Sequence, residues 1–489
     1  MASSIVTYIV QKQSGAMKFL EHLPFLTRLA NALETCVAYL WSTVWPAGLA
    51  VFYPYVERPL WQGAAAGVLL AAVTALVVWQ RRRRPYLAVG WFWYLGMLVP
   101  VIGLVQVGKQ AMADRYTYLP LIGIFVAVAW LAADLLAGWR HRAKVLIPVA
   151  AAVLVACGIM TVRQANYWAD SETIYRRAID VAPHNALVHG NLGSELVIQG
   201  RYSEAVSEYL EALQVAPDDP SLLSNLGYAL ASLGRLDEAI VEYRKALGLD
   251  PDYKAAHNNL GLALFGQGKM AEAAYHYREV LRQSPDDVDA HLSLGGAYVS
   301  LGRLDEAVWE CREAIRLNPN HPRAHNNLGS AYLGLNRIQE AFAEFTTAVR
   351  LDPAFPNAYL NLGLASEKLG RPADAVRCLE VALRLQPDWP DVLARLARLR
   401  AMSADPAVRN GPQAVALAEK ACAITRRQNP VCLDALAGAY AEVGRFPEAV
   451  RAAREALPLA QVRNRPELVQ EIEAGLKSYE AGQPYRLGK

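Results

Sequence analysis

Asn225-Leu226-Gly227, then Gly234-Arg235, Ala239-Ile-Val-Glu-Tyr243 and finally Pro251 form one unit of a pattern that fills the middle of this 489-residue chain. Leu-Gly pairs stand at Leu192-Gly193, Leu226-Gly227, Leu260-Gly261, Leu294-Gly295, Leu328-Gly329 and Leu362-Gly363, each 34 residues after the last, and Leu396-Ala397 keeps the spacing. An alanine column (Ala205, Ala239, Ala273, Ala307, Ala341, Ala375) and a proline column (Pro217, Pro251, Pro285, Pro319, Pro353, Pro387) run in the same register. Four residues behind the alanines come Tyr209, Tyr243, Tyr277, Cys311, Phe345 and Leu379. Apolar residues recur at helical spacing in two runs per unit. Between the runs lie Gly200, Gly234, Gly268, Gly302 and Gly370, placed to end a helix in the left-handed conformation, with Asn336 as the tolerated exception. Pro220, Pro322, Pro356 and Pro390 suit a first helical turn, and Asp219, Asp287 and Asn320 are candidate caps. A lone helix pair cannot bury its apolar face, but stacked neighbours can, so the spacing predicts an α-solenoid.

This pattern resembles the tetratricopeptide repeat (TPR) family, whose 34-residue unit carries a Leu-Gly, an Ala-x3-aromatic and a closing proline. The expected fold is all-α: multi-pass transmembrane helices followed by a solenoid of TPR helix pairs. The solenoid is expected over 165–463, with full repeats from Ala186 and a longer repeat near 390–429. Met402–Pro412 holds the turn signals Asp-Pro and Asn-Gly. Ser171–Val181 reads as the second helix of a preceding repeat, whose first helix the last membrane span would supply. Residues 464–489 read as a capping helix through Leu468, Ile472, Leu476 and Tyr479, then a tail.

The charge is uneven. Up to Arg163 there are 14 Lys+Arg against 5 Asp+Glu; beyond it the balance is 35 to 41. Nine of the 11 Trp lie at or before Trp168, which sets the first part apart as a membrane domain over 1–164. Five spans are expected there, at 35–54, 60–79, 85–108, 117–137 and 145–162, since about 20 mainly apolar residues cross a bilayer. Pro46 and Gly48 interrupt the first, which leaves a re-entrant or interfacial segment as its alternative. Trp41, Trp61, Trp79, Trp91, Trp93 and Trp139 lie near span ends, as an aromatic belt does. Arg81–Arg84 and the Arg140, Arg142, Lys144 group fall on one side by loop parity, joined by Lys12, Lys18 and Arg28. Basic loops stay cytoplasmic, so the repeats are expected on the outer side of a bacterial-type inner membrane. The arginine run also offers contact with membrane lipid. No cleavable signal peptide is expected in Met1–Gly15. Positive charges flank apolar runs and form no stripe along the repeats, so nucleic acid is not an expected partner.

Between the third and fourth spans stands Lys109-Gln-Ala-Met-Ala-Asp-Arg-Tyr-Thr-Tyr-Leu-Pro120. Lys109, Arg115 and Tyr116 are candidate contacts for a lipid phosphate at headgroup level; alternatively Asp114 and Arg115 pair with each other or with loop carbonyls. The Ala-Asp-Arg-Tyr-x-Tyr-Leu-Pro motif before a last span and TPR repeats resembles the TPR-bearing membrane glycosyltransferases of the C-type superfamily, including the transmembrane O-mannosyltransferases. Arg28-Leu-Ala-Asn-Ala and Trp45-Pro…Phe52-Tyr-Pro-Tyr55 fit that family too. The resemblance implies a polyprenyl-phosphate sugar donor used on the outer side. It also implies catalytic acidic residues in a first outer loop that this chain begins too late to carry. The expectation is a fragment or late-start copy, or the partner of an upstream catalytic half. No catalytic residue is therefore assigned, and no cofactor is expected of the chain as it stands.

Before each Leu-Gly stands Asn191, Asn225, Asn259, Ser293, Asn327 or Asn361. In the TPR fold this column faces the concave groove, and it resembles the asparagine ladder of O-GlcNAc transferase. A carboxamide both donates and accepts, which suits an extended peptide backbone; alternatively asparagine is only tolerated on a solvated inner face. Asn191, Asn225, Asn259, Asn327 and Asn361 are the candidate peptide-binding residues. His189, His257, His291 and His325 form another column, expected to pack between helices rather than bind metal. The six cysteines show no metal spacing, though Cys422 and Cys432 are close enough in sequence to allow a disulfide. The leading expectation is a membrane-anchored TPR scaffold that binds protein or peptide segments. The alternative is the non-catalytic C-terminal half of a C-type glycosyltransferase acting in protein O-glycosylation.

Overall fold

A computed structural model describes residues 24–44, 53–54, 59–99, 110–112, 118–139 and 141–486. The chain divides into two compact units, Met1–Pro251 and Asp252–Lys489.

The first unit opens with α1 (Phe25–Val44), β1 (Tyr53–Pro54), α2 (Leu60–Gln80), α3 (Pro85–Leu98), β2 (Gln110–Met112), α4 (Tyr118–Leu135) and α5 (Arg142–Asn166). Three helices are long and apolar enough to cross a membrane: Leu60–Gln80, Tyr118–Leu135 and Ala143–Asn166. They fall at the expected spans 60–79, 117–137 and 145–162. The other two expected spans are described only in part. At 35–54, α1 starts earlier, at Phe25, includes Arg28 and Glu34, and is described as far as Val44. Of 85–108, the described helix is α3, Pro85–Leu98. Residues 45–52 and 100–109 lie outside the described ones.

Small residues let these helices approach closely. A Cβ on Gly90 would lie 2.3 Å from the Gly123 carbonyl oxygen, and one on Gly63 would lie 2.4 Å from the Ala30 Cβ. The Tyr94 hydroxyl donates to the Cys36 carbonyl at 2.5 Å, and the Trp91 indole to Thr74 Oγ1 at 2.9 Å. Asp134, the lone charge of its apolar helix, accepts from Arg84 at 2.8 Å and from the Tyr86 hydroxyl at 3.0 Å. That contact brings the end of α4 to the arginine run after α2. The outward surface is apolar: Val68, Trp79 and Leu154 are more than 70% exposed. A helix that is apolar all round and uncovered by protein suits lipid. Among the described residues, the fold is all-α apart from one short strand pairing. Tyr53 and Pro54 pair antiparallel with Met112 and Gln110.

The repeats of the first unit are α6 (Ser171–Val181), α7 (Ala186–Ile198), α8 (Tyr202–Val215), α9 (Pro220–Ser232) and α10 (Leu236–Leu249). The second unit holds α11 (Lys254–Gly266), α12 (Met270–Gln283), α13 (Val288–Ser300), α14 (Leu304–Leu317), α15 (Pro322–Gly334), α16 (Ile338–Leu351), α17 (Pro356–Lys368), α18 (Pro372–Leu385), α19 (Pro390–Met402), α20 (Gly411–Ile424), α21 (Pro430–Glu442), α22 (Phe446–Val462) and α23 (Pro466–Glu480). Within a pair, the glycine of the first helix lies under the aromatic ring of the second. A Cβ at Gly193, Gly227, Gly261 or Gly329 would fall 2.6–2.7 Å from a ring carbon of Tyr209, Tyr243, Tyr277 or Phe345. The alanine column is fully buried beside these rings.

The turns follow their residue types. Gly200, Gly234, Gly268, Gly302 and Gly370 have φ between +71° and +78°, and Asn336 has φ 58°. Asp219 caps α9 by accepting from the Ser221 and Leu222 N–H groups, and Asp287 caps α13 through Ala290. Asn320 does not cap α15. His321 holds the cap position, and the Asn320 N–H donates to the Asn318 side chain. The enlarged connection 403–410 is closed by Asn410, which caps α20. At the far end α23 buries Leu468, Ile472 and Tyr479 against α19–α22. Cys422 and Cys432 are both buried free thiols rather than a disulfide, and burial pushes them up to about 12 and about 11.

Two glycines give opposite expectations. Gly227→Ala forces the Tyr243 ring to move and should destabilise by about 1–3 kcal/mol. Gly296→Ala meets nothing nearer than 3.7 Å and should stabilise by about 0.5–1 kcal/mol through lost chain entropy. Urea unfolding followed by circular dichroism separates the two. Equal effects would mean that close approach is not what the Leu-Gly glycine serves.

Candidate functional site

The first helix of each pair places its asparagine one residue before the buried Leu-Gly leucine, so backbone geometry fixes where the carboxamide emerges. Asn191 and Asn225 belong to the first unit; Asn259, Asn327 and Asn361 belong to the second. All five are half-buried. They divide by partner. The Asn361 amide donates to Asn326 Oδ1 at 2.9 Å, and the Asn327 amide reaches the Leu292 carbonyl at 3.4 Å. Asn191, Asn225 and Asn259 carry no side-chain hydrogen bond among the described residues. Ser293, in the same column, hydrogen-bonds the buried Tyr277 hydroxyl.

Three residues further along the same helix face stands a second row: Ser194, Tyr228, Leu262, Gly296, Ser330, Leu364 and Arg398. This row varies where the asparagines do not. Tyr228 and Leu262 are about half exposed. The first row thus offers amide chemistry broken at Ser293, and the second a changing series of side chains.

Where the asparagine column reaches α19 it becomes Arg395, which holds Glu367 at 2.6 Å. Its neighbour Arg398 pairs with Glu471 and lies 3.5 Å from Asp434. Glu367, Asp391, Arg395, Arg398 and Arg465 line a polar cleft of about 380 Å³. Asp434 is almost completely buried, and burial pushes its carboxyl up to about 6 against the pull of Arg398.

The histidine column does more than pack. His189, His291 and His325 each place Nδ1 2.6–2.7 Å from a glutamate on the second helix of the pair: Glu208, Glu310 and Glu344. Each Nε2 meets the carbonyl of the closing proline, Pro183, Pro285 or Pro319, at 2.8–3.1 Å. Carbonyls and ionised carboxylates only accept, so the doubly protonated imidazolium satisfies both contacts. In the fourth pair the glutamate is replaced, and His257 Nδ1 lies 2.9 Å from His276 Nδ1. The glutamates at 208, 310 and 344 were visible in the sequence at a spacing of 19 from the histidines, but a search for metal spacing passes over them. Among the described residues, no group of three or more His, Cys, Asp and Glu is arranged to hold a metal ion. Lys109, Arg115 and Tyr116 lie outside the described residues, although Gln110–Met112 of the same loop forms β2.

Burial lowers His291, but Glu310, the Pro285 carbonyl and Glu313 outweigh it, and its pKa is raised. His325 is raised first by its bond to Glu344, against burial. A raised histidine contributes stability in full below its unfolded value of about 6.5, and the contribution fades as pH climbs through the folded value. The melting-temperature gap between wild type and His291→Gln/His325→Gln should therefore narrow from about pH 6 to about pH 9. A gap that stays constant would mean that both rings are neutral throughout.

Family models described as TPR repeat match residues 193–234 and 227–268, and others described as tetratricopeptide repeat match 258–322, 292–359, 326–390 and 431–462. Protein O-mannosyl-transferase Tmtc2 of Drosophila melanogaster is 35% identical over 107 residues, covering 22% of this chain and 11% of that protein. Protein O-mannosyl-transferase TMTC1 of Homo sapiens is 28% identical over 161 residues, covering 31% of this chain and 18% of that protein. The chain thus spans less than a fifth of the length of these relatives. Among solved structures, a tetratricopeptide repeat protein from Parabacteroides merdae has a TM-score of 0.40 at 15% identity, covering 60% of this chain and 98% of that one. YrrB, a TPR protein with an unusual peptide-binding site, has a TM-score of 0.32 at 24% identity, covering 38% and 96%. The chain is a tetratricopeptide repeat protein, distantly related through part of its repeat region to the O-mannosyl-transferases.

Proposed function

We propose that this protein is a membrane-anchored scaffold that captures extended protein segments along its asparagine row, on the non-cytoplasmic side. The observation that carries the reading is the pair of uncommitted carboxamides at Asn191 and Asn225, half-buried at one position of successive repeats of the first unit, with Asn259 uncommitted in the same way in the second. Such a group can donate to a peptide carbonyl and accept from a peptide N–H without regard to side chain. The variable row beside it then grades preference along the segment. YrrB, with its peptide-binding site, is in keeping with this use of the fold. The outer-side location rests on the arginine clusters at Arg81–Arg84 and around Arg140, together with the three apolar helices.

A second reading follows from the O-mannosyl-transferase likeness. The chain would then present acceptor segments to a glycosyltransferase active part that uses a polyprenyl-phosphate sugar, with Lys109, Arg115 and Tyr116 near the donor phosphate. Mannose transfer from a polyprenyl-phosphate donor to a captured peptide, with and without Arg115→Ala in the full-length gene product, tests it.

For the scaffold reading, Asn225→Ala/Asn259→Ala should weaken binding of an extended peptide pool while leaving the melting temperature near wild type. Asn361→Ala should by contrast lose about 0.5–1.5 kcal/mol of stability, because it breaks an internal hydrogen bond. If the first variant melts early and binds normally, the row belongs to the scaffold alone. A reporter enzyme that is active only outside the cytoplasm, fused to the C-terminus, should be active; a silent reporter sinks the outer-side assignment.

A further inference from the structure

Three acids that follow a closing proline, Asp252, Asp286 and Asp388, each meet a basic side chain from the second helix of the next pair, whereas a fourth, Asp218, does not among the described residues; before Arg350 and Arg384 the acid position is held by Asn320 and Ala354. Near the end of its second helix each of four repeats has an arginine: Arg282, Arg316, Arg350 and Arg384. Arg282 reaches back to Asp252, and Arg316 lies 3.7 Å from Asp286, both acids following the closing proline of the preceding repeat. Further on, Lys420 does the same for Asp388 at 2.9 Å. In the first unit the corresponding acid is Asp218, after Pro217, and the corresponding basic position is Gly248. Asp218 is exposed and has no ion pair among the described residues.

Where the side chain is missing there is a cleft. It lies between α8 and α10 over α9, has a volume of about 550 Å³, and is lined by Leu210, Leu213, Asp218, Leu226, Gly248 and Leu249 among others. A second cleft of about 200 Å³ continues from it, sharing Leu210, Leu226 and Glu242. Leu210 is itself a departure, standing where later repeats have Arg244, Arg278 and Arg312. Leu210, Val241 and Leu249 are each about half exposed. Glu242 is already held by Lys245 at 2.8 Å, which leaves Asp218 as the open charge. Nothing in the backbone demands glycine at position 248: it is not among the positive-φ residues, and a Cβ there meets nothing within 4 Å.

We propose that this cleft is a docking site for a partner protein segment that presents an arginine beside leucine-like side chains. The arginine takes the place of the guanidinium that neighbouring repeats supply from within, pairing with Asp218, while the apolar neighbours cover Leu210, Leu226 and Leu249. Charge and shape both select this occupant. A purely apolar segment leaves Asp218 bare under the contact, and an acidic one repels it. The site is on the outer-helix side and does not depend on the asparagine row.

The test uses the full chain in lipid nanodiscs and a fluorescein-labelled leucyl-leucyl-arginyl-leucine amide, with a norleucine analogue in place of its arginine. Fluorescence anisotropy should show the arginine peptide binding about tenfold more tightly than the analogue, as one charge-assisted hydrogen bond allows. Asp218→Asn should erase that difference. Gly248→Arg should fill the cleft from within, abolish binding of both peptides, and leave the melting temperature unchanged or raised. Absence of binding, equal binding of the two peptides by wild type, or binding that survives Gly248→Arg overturns the proposal. A lowered melting temperature in Gly248→Arg also counts against it, because the cleft then does not have the form of a missing arginine.

Discussion

The repeats rest on contact between a glycine and an aromatic ring. Each first helix gives up a side chain at Gly193, Gly227, Gly261 or Gly329 so that a tyrosine or phenylalanine of the second can lie against its backbone. That contact brings the two axes close, and closeness buries the alanine column completely. The asparagine column inherits its position from this. The asparagines stand two residues before the glycines on the same helix, so fixing the glycine against the ring fixes the asparagine.

The same constraint explains what could be read from the chain alone. A period of 34 residues repeated six times announces helix pairs, their turns and their stacking, because each position answers to one physical demand. Left-handed turns at five glycines and at Asn336 follow from residue type. Reading failed where the demand was not periodic. Strands of two and three residues at Tyr53–Pro54 and Gln110–Met112 are too short for alternation to show. The first expected span was drawn by absence of charge, and α1 begins ahead of it, at Phe25, with Arg28 and Glu34 included. Asn320 had the right side chain for a cap but stands one residue too early, behind His321.

Legibility was poorer still for the site. The asparagine column could be seen, but not that Asn361 and Asn327 are engaged with neighbouring repeats while Asn225 is not. That division depends on what stands one residue before the column in the adjoining helix. The histidine–glutamate couples were hidden for another reason. A histidine invites a search for other metal ligands, whereas its partner here is a carboxylate on a different helix and a proline carbonyl in the loop. Gly248 illustrates the converse error. Matching a consensus rewards residues that agree with it, so a lost arginine draws no notice until the neighbouring pairs are seen in space.

Because each glycine–ring contact is closed within one helix pair, no pair depends on a distant part of the chain for its own core. Such an architecture is extensible. A pair can be duplicated, deleted or replaced without redesigning the others, and connections can swell, as 403–410 has, without disturbing the spacing on either side. The length of the array is then set by copy number, a variable that tandem duplication can alter in a single step.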